Sequence, residues 1–128
     1  METKSPWIAV VDDDAGIRRA LVRLLRSASM RARAFDGGEE FFAAIATDLP
    51  CCVILDVHMP GLSGLDVQAR LATLAPAVGV ILISGHPSPQ EQLRAQHQLP
   101  LAYLQKPVND QLLLDAIAQV YRPSESQG

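Results

Sequence analysis

Cys51-Cys52-Val53-Ile54-Leu55-Asp56 is a run of apolar residues that stops on an acid. It is too short for an ordinary helix, and its unbroken apolar character marks a strand buried on both faces. The same signature recurs on either side. Trp7–Val11 runs into Asp12, Asp13 and Asp14, and Val78–Ile83 runs into Ser84. Two weaker runs lie at Met30–Phe35 and Ala102–Leu104, the second followed by Gln105 and Lys106.

Amphipathic stretches separate these runs. Ala15–Ala28 places Ile17, Leu21, Leu24, Leu25 and Ala28 on one face at helical period. Glu39–Ala46, after Gly37-Gly38, carries Phe41, Phe42 and Ile45 and reads as a short helix. Gly64–Leu74 holds Leu65, Leu71 and Leu74. Pro89–Gln98 is polar and helix-permissive but poorly amphipathic. Asn109–Tyr121 sets Leu113, Ile117, Val120 and Tyr121 on one side, with Asn109 as N-cap. Strand and helix thus alternate five times, which predicts an α/β fold: a doubly wound, five-stranded parallel sheet with five crossover helices.

Length and composition fit one such unit. The 128 residues, 48% of them hydrophobic, suit a single core. Residues 1–121 form the expected domain, and the polar stretch 122–128 reads as a frayed tail or the start of a linker. The net charge is −3, and no block of Lys or Arg suggests direct contact with nucleic acid or anionic lipid. Arg18, Arg19, Arg23 and Arg26 recur at helical spacing and read as a solvated helix face. The longest apolar run, Ala75 to Ile83, is broken by Pro76 and Gly79 and is too short to span a bilayer. Met1–Pro6 lacks a hydrophobic signal region, so a cytoplasmic location is expected. Cys51 and Cys52 are adjacent, have no partners at zinc spacing, and read as packing thiols.

The polar residues fall in a pattern. Asp12 and Asp13 close the first strand, Asp56 the third, Ser84 the fourth and Lys106 the fifth. Ligands of an open parallel sheet bind beyond the carboxyl ends of its strands, so these residues are expected in one crevice. Three carboxylates there repel one another and need a cation or protons. An oxygen-only set suits a hard divalent ion such as Mg²⁺. With the Lys106 ammonium and the Ser84 hydroxyl beside it, a carboxylate is equipped to accept and stabilise a phosphoryl group. Asp14, next in line, reads as a helix N-cap.

Four motifs carry a resemblance. They are Val10-Val11-Asp12-Asp13-Asp14; Ile54 through Gly64 around Asp56-Val57-His58-Met59-Pro60-Gly61; Ile83-Ser84-Gly85-His86; and Tyr103-Leu104-Gln105-Lys106-Pro107. From about Trp7 to Tyr121 the chain resembles the receiver domain of bacterial two-component response regulators. The resemblance implies a flavodoxin-like sheet of order 2-1-3-4-5. It implies phosphorylation of Asp56 by a sensor histidine kinase or phosphotransfer protein. It implies Mg²⁺, or Mn²⁺ in its place, held by Asp13, Asp56 and the His58 backbone carbonyl, with Asp12 acting through water. Lys106 would contact the phosphoryl group, Ser84 would turn toward it, and Tyr103 would swing inward as the aromatic switch. Pro107 would follow a cis peptide bond. The chain itself would not be an enzyme.

Further expectations come from the same resemblance. The side chains two residues after the acceptor Asp and two after the switch hydroxyl flank the approach of water; here they are His58 and His86. One or both are expected to make the phosphorylated lifetime vary between about pH 6 and 8. Activated receivers pair through the fourth helix, fifth strand and fifth helix. With Gln92, Arg94, Gln96, Gln105 and Asp115 on that face, the expectation is a weak, phosphorylation-dependent homodimer. Gln98-Leu99-Pro100-Leu101 stands where receivers carry a small Ala-Gly-Ala-like segment, which implies a fourth helix of unusual length or rigidity. Phe35 through Phe41 resembles receivers joined to a helix-turn-helix domain, so control of transcription by a fused or separate domain is implied. Two competing readings are an aspartate-nucleophile phosphatase of the haloacid dehalogenase type and a degenerate receiver that binds partners without phosphorylation. The first wants an acid where His58 stands, and the intact acids, Ser84 and Lys106 argue against the second.

Overall fold

The computed structural model describes residues 5–122; the tail read as a linker lies, beyond Arg122, outside the described residues. Strands β1 (Ile8–Val11), β2 (Ala32–Phe35), β3 (Cys52–Asp56), β4 (Gly79–Ser84) and β5 (Ala102–Gln105) form one parallel sheet of order β2-β1-β3-β4-β5. This is the order expected. The helices are α1 (Ala15–Ser27), α2 (Gly38–Ile45), α3 (Gly64–Leu74), α4 (Pro89–Gln98) and α5 (Asp110–Ala118). No described helix is long and apolar enough to cross a membrane.

Side chains alternate across each strand, so the continuous apolar runs feed two cores. Ile8, Val10, Cys52, Ile54, Ile81 and Ile83 pack under α1 and α5, against Leu21, Leu25, Leu113 and Ile117. Ala9, Val11, Val53, Leu55, Val80 and Leu82 face α2, α3 and α4, against Phe41, Ile45, Leu65, Leu71 and Ala95. β1 and β3 are buried at every position, while β2, at the sheet edge, is buried only at its two ends. Cys52 is fully buried and Cys51 partly so; burial pushes both thiols above the ordinary range, in keeping with packing roles.

Helix starts follow the expected chemistry. Asp14 accepts from the Ile17 N–H, and Asn109 accepts from the Leu112 N–H. Ser63 and Asp66 form a reciprocal capping box on α3, and Ser88 caps α4. α5 stops at Ala118, short of the Tyr121 that its apolar period suggested. The amides of Val120 and Tyr121 both turn back to the Ile117 carbonyl, at 3.0 and 2.9 Å, and their side chains stay on the same apolar layer. The period therefore outlasts the helix.

α4 fills the whole of Pro89–Gln98 and ends where Leu99 takes a left-handed conformation, φ 53°. Polar contacts hold it to α3. Gln98 donates to Gln68 Oε1 (2.7 Å) and to the Leu65 carbonyl (3.2 Å), and Gln68 donates to the Gln98 carbonyl (3.1 Å). Arg94 reaches Asp66 at 3.1 Å and Gln98 Oε1 at 2.9 Å.

Candidate functional site

Register brings the strand ends level. Val11 lies opposite Leu55, Asp56 opposite Ile83, and Ser84 opposite Gln105. The chain leaves β1 toward β2 on one side while β3 lies on the other, so a crevice opens between the β1 and β3 ends. Two glycines shape the chain that follows β3. Gly61 takes φ +77°, which turns the chain away after Asp56. Gly64 opens α3 so close to the β3 backbone that a Cβ there would lie 2.4 Å from the Asp56 carbonyl oxygen.

The residues singled out in the sequence meet here. Carboxylate oxygens of Asp12, Asp13 and Asp56 all lie within 4.8 Å of one another. Asp12 is fully buried, Asp56 nearly so, and Asp13 is exposed. Lys106 Nζ bridges the two buried acids, 3.2 Å from Asp12 Oδ2 and 3.3 Å from Asp56 Oδ1. Asp12 also accepts from the Asp14 N–H at 2.9 Å, and Asp56 from the His58 N–H at 3.2 Å. The peptide bond between Lys106 and Pro107 is cis.

Three carboxylates share one ammonium, and the imbalance appears in their acidity. Burial, then the neighbouring Asp12, pushes Asp56 up to about 6; Lys106 and the His58 N–H offset this only in part. Burial opposes the charge on Lys106, but Asp12 and Asp56 together outweigh it and hold the ammonium above its ordinary range. A cluster with surplus negative charge, built from oxygen donors alone, fits a hard divalent cation. Among the described residues the His58 carbonyl takes no hydrogen bond, so it too is free to serve as a ligand.

Ser84 closes β4 fully buried, its Oγ without a well-formed hydrogen bond but close enough to the Tyr103 hydroxyl to act on it. An enclosed hydroxyl without a partner is costly. Tyr103, half-buried on β5, donates from its hydroxyl to Glu91 Oε2. Burial first, then Glu91, holds the phenol above its ordinary range. His58 and His86 both reach the mouth of the crevice, alongside Asp13, Asp14, Asp56 and Lys106. His58 Nε2 also lies 2.7 Å from Glu91 Oε1.

Glu91 is thus a site residue that sequence reasoning missed. It stands in the first turn of a helix that reads as solvated, yet it is only 7% exposed. The signal available was its spacing: Glu91 and Ala95, four apart, form the inward face of α4. On the proposed pairing face, Gln92, Gln96, Gln105 and Asp115 are exposed, but Arg94 is turned to Asp66 on α3. Leu99, 82% exposed, adds an apolar element to that otherwise polar set.

Comparisons with known proteins agree with this geometry. A family model described as the response regulator receiver domain matches residues 8–118. Nodulation protein W of Bradyrhizobium diazoefficiens is 40% identical over 110 residues, 86% of this chain and 48% of that protein. Response regulator protein TmoT of Ectopseudomonas mendocina is 35% identical over 128 residues, 99% of this chain and 58% of that protein. The chain therefore spans about half the length of these curated relatives. Among solved structures, a response regulator receiver protein from Burkholderia phymatum is 42% identical with a TM-score of 0.79, covering 91% of this chain and 95% of that one. The response regulator StyR is 34% identical with a TM-score of 0.83, covering 92% of this chain and 60% of that one. The level strand ends, the acid cluster bridged by a lysine and these matches converge: the chain belongs to the response regulator receiver domain family.

Proposed function

We infer that this domain accepts a phosphoryl group on Asp56 from a phosphohistidine of a sensor kinase or phosphotransfer protein. The observation that carries the reading is Asp56 itself, buried at a strand end, bridged to Asp12 by Lys106 and crowded by acids that want a cation. An Asp56 carboxylate oxygen bonds to phosphorus as the donor's P–N bond breaks, and the imidazole leaves with the electron pair. Asp13, Asp56 and the His58 carbonyl would hold Mg²⁺ or Mn²⁺, with Asp12 acting through water. When bound, the metal draws charge from the phosphoryl oxygens. Lys106 neutralises a further oxygen, and Ser84, lacking a well-formed hydrogen bond, is the hydroxyl free to turn toward it.

Ser84 and Tyr103 carry the change outward in this reading, and α4, β5 and α5 present it. A weak homodimer that forms on phosphorylation fits the mainly polar face there. His86 is exposed at the crevice mouth, and we assign to it control of the access of water and so of the lifetime of the phosphoryl group. The relatives include a transcriptional regulatory protein and a DNA-binding transcriptional regulator, so we assign the output of this domain, through a fused or separate helix-turn-helix domain, to the control of transcription, in the cytoplasm.

Intact mass after incubation with acetyl phosphate and Mg²⁺ tests the reading. One phosphoryl group is expected on the parent, none with the metal chelated and none on Asp56→Asn. Equal uptake by Asp56→Asn would overturn it. Sedimentation with and without beryllium fluoride tests the pairing, which fails if a tight dimer forms without the mimic.

A further inference from the structure

Glu91 is a buried carboxylate that the phosphoryl chemistry does not use. It lies on α4, remote in sequence from Asp56, yet its two oxygens serve two residues that flank the chemistry. Oε1 lies 2.7 Å from His58 Nε2, on the loop just after Asp56, and is otherwise enclosed without a hydrogen-bond partner. Oε2 accepts the hydroxyl of Tyr103 on β5. The backbone that carries it is held as well, because Ser88 Oγ accepts the Glu91 N–H at 3.1 Å. Among the described residues no hydrogen bond or ion pair joins His58 directly to Tyr103; the buried carboxylate stands between them.

We propose that Glu91 is a positioning residue that couples His58, beside the acceptor aspartate, to Tyr103 on the output face. The proposal rests on Asp56 being the phosphoacceptor. A phosphoryl group on Asp56 places new anionic oxygens beside His58, and these compete with Glu91 for the imidazole N–H. If His58 turns to them, Oε1 is left enclosed without a partner. An unpaired buried carboxylate oxygen is costly, so the carboxylate, its helical turn or Tyr103 must rearrange. The same link runs in reverse: whatever moves Tyr103 changes the hold on His58. Ser84 and Glu91 then give the site two routes to the same tyrosine.

A mutant box measures the coupling. Affinity for beryllium fluoride with Mg²⁺ is determined for the parent, His58→Ala, Tyr103→Phe and the double variant, and again for all four with Glu91→Met, which keeps length and offers no acceptor. In the Glu91 background the double variant should depart from the product of the single effects by about threefold or more, as for residues in one hydrogen-bond network. In the Met background the effects should multiply. Independent effects in the Glu91 background, or coupling that survives in the Met background, overturn the proposal. Should Glu91→Met not fold, a second measurement needs only the exposed His58→Ala change. Tyr103 ring resonances, assigned with Tyr103→Phe, should shift when His58 is removed, and unchanged resonances overturn the proposal. Failure of the parent to take up the mimic would overturn the phosphoacceptor reading and this proposal with it, whereas uptake without coupling overturns this proposal alone.

Discussion

The acid cluster is held at a cost that can be measured. Asp56→Asn removes one carboxylate and keeps its shape. Raising an Asp56 carboxyl from 3.8 to about 6 in the folded chain corresponds to about 3 kcal/mol of destabilisation once both states are ionised. That figure already includes the opposing 3.3 Å contact with Lys106, and an amide replaces the protonated carboxyl only imperfectly, so the net gain should be about 1–2 kcal/mol. Lys106 keeps Asp12 as partner, and the amide oxygen can still accept from the His58 N–H. The sign follows from protons bound. Between 3.8 and about 6 the folded parent binds more protons than the unfolded chain, so its stability falls as pH rises through that window. The advantage of Asp56→Asn should be absent near pH 4 and complete above pH 6. Urea unfolding at pH 7.5 with the metal chelated should show its midpoint higher by about 0.5–1 M. Excess Mg²⁺ should narrow the gap, because a ligand of the native parent stabilises it by mass action. Equal or lower stability of Asp56→Asn at pH 7.5 without metal would refute the claim that uncompensated charge dominates the site.

Three further outcomes follow from local geometry. Gly64→Ala forces a Cβ against the Asp56 carbonyl oxygen and should cost about 1–3 kcal/mol in thermal melts, with phosphoryl uptake reduced because the acceptor strand end is displaced. Gln98→Ala leaves the backbone carbonyl that Gln68 Nε2 donates to but removes the donor to the buried Gln68 Oε1 and to the Leu65 carbonyl, and should cost about 1–2 kcal/mol; hydrogen exchange of α4 amides should speed up more than that of α5. Leu99→Gly relieves the left-handed backbone at an 82% exposed position and should raise stability by about 0.5–1 kcal/mol, read as a higher melting temperature.

The sheet and its acid cluster were legible because of where apolar runs break. A strand buried on both faces tolerates no polar residue within it, so Asp12, Asp56 and Ser84 mark the strand ends without ambiguity. Alternation of elements then fixes parallel pairing, and pairing brings those ends together. The α4 contacts were not legible in the same way. Gln68, Glu91, Arg94 and Gln98 are residue types that usually face water, and helical period cannot tell an exposed polar face from one that meets another polar face. The Gln98-Leu99-Pro100 departure was visible, but its consequence was not: the helix runs right up to Leu99 because Gln98 is tied back to α3.

That difference separates α4 from the other helices in energetic terms. α5 buries Leu113, Ala116 and Ile117 on the sheet, and each large apolar side chain contributes about 1.5–3 kcal/mol that only burial can supply. α4 buries only Glu91 and Ala95 and is held instead by hydrogen bonds to α3, β5 and the His58 loop. Each such bond contributes about 0.5–1.5 kcal/mol net, and its groups can exchange partners without exposing apolar surface. A shift of α4 therefore costs rearranged hydrogen bonds, whereas a shift of α5 would cost core. Two of its partners, His58 and Tyr103, stand beside Asp56 and Ser84. The helix that a change of charge at Asp56 can reach is thus also the helix whose position is least expensive to change.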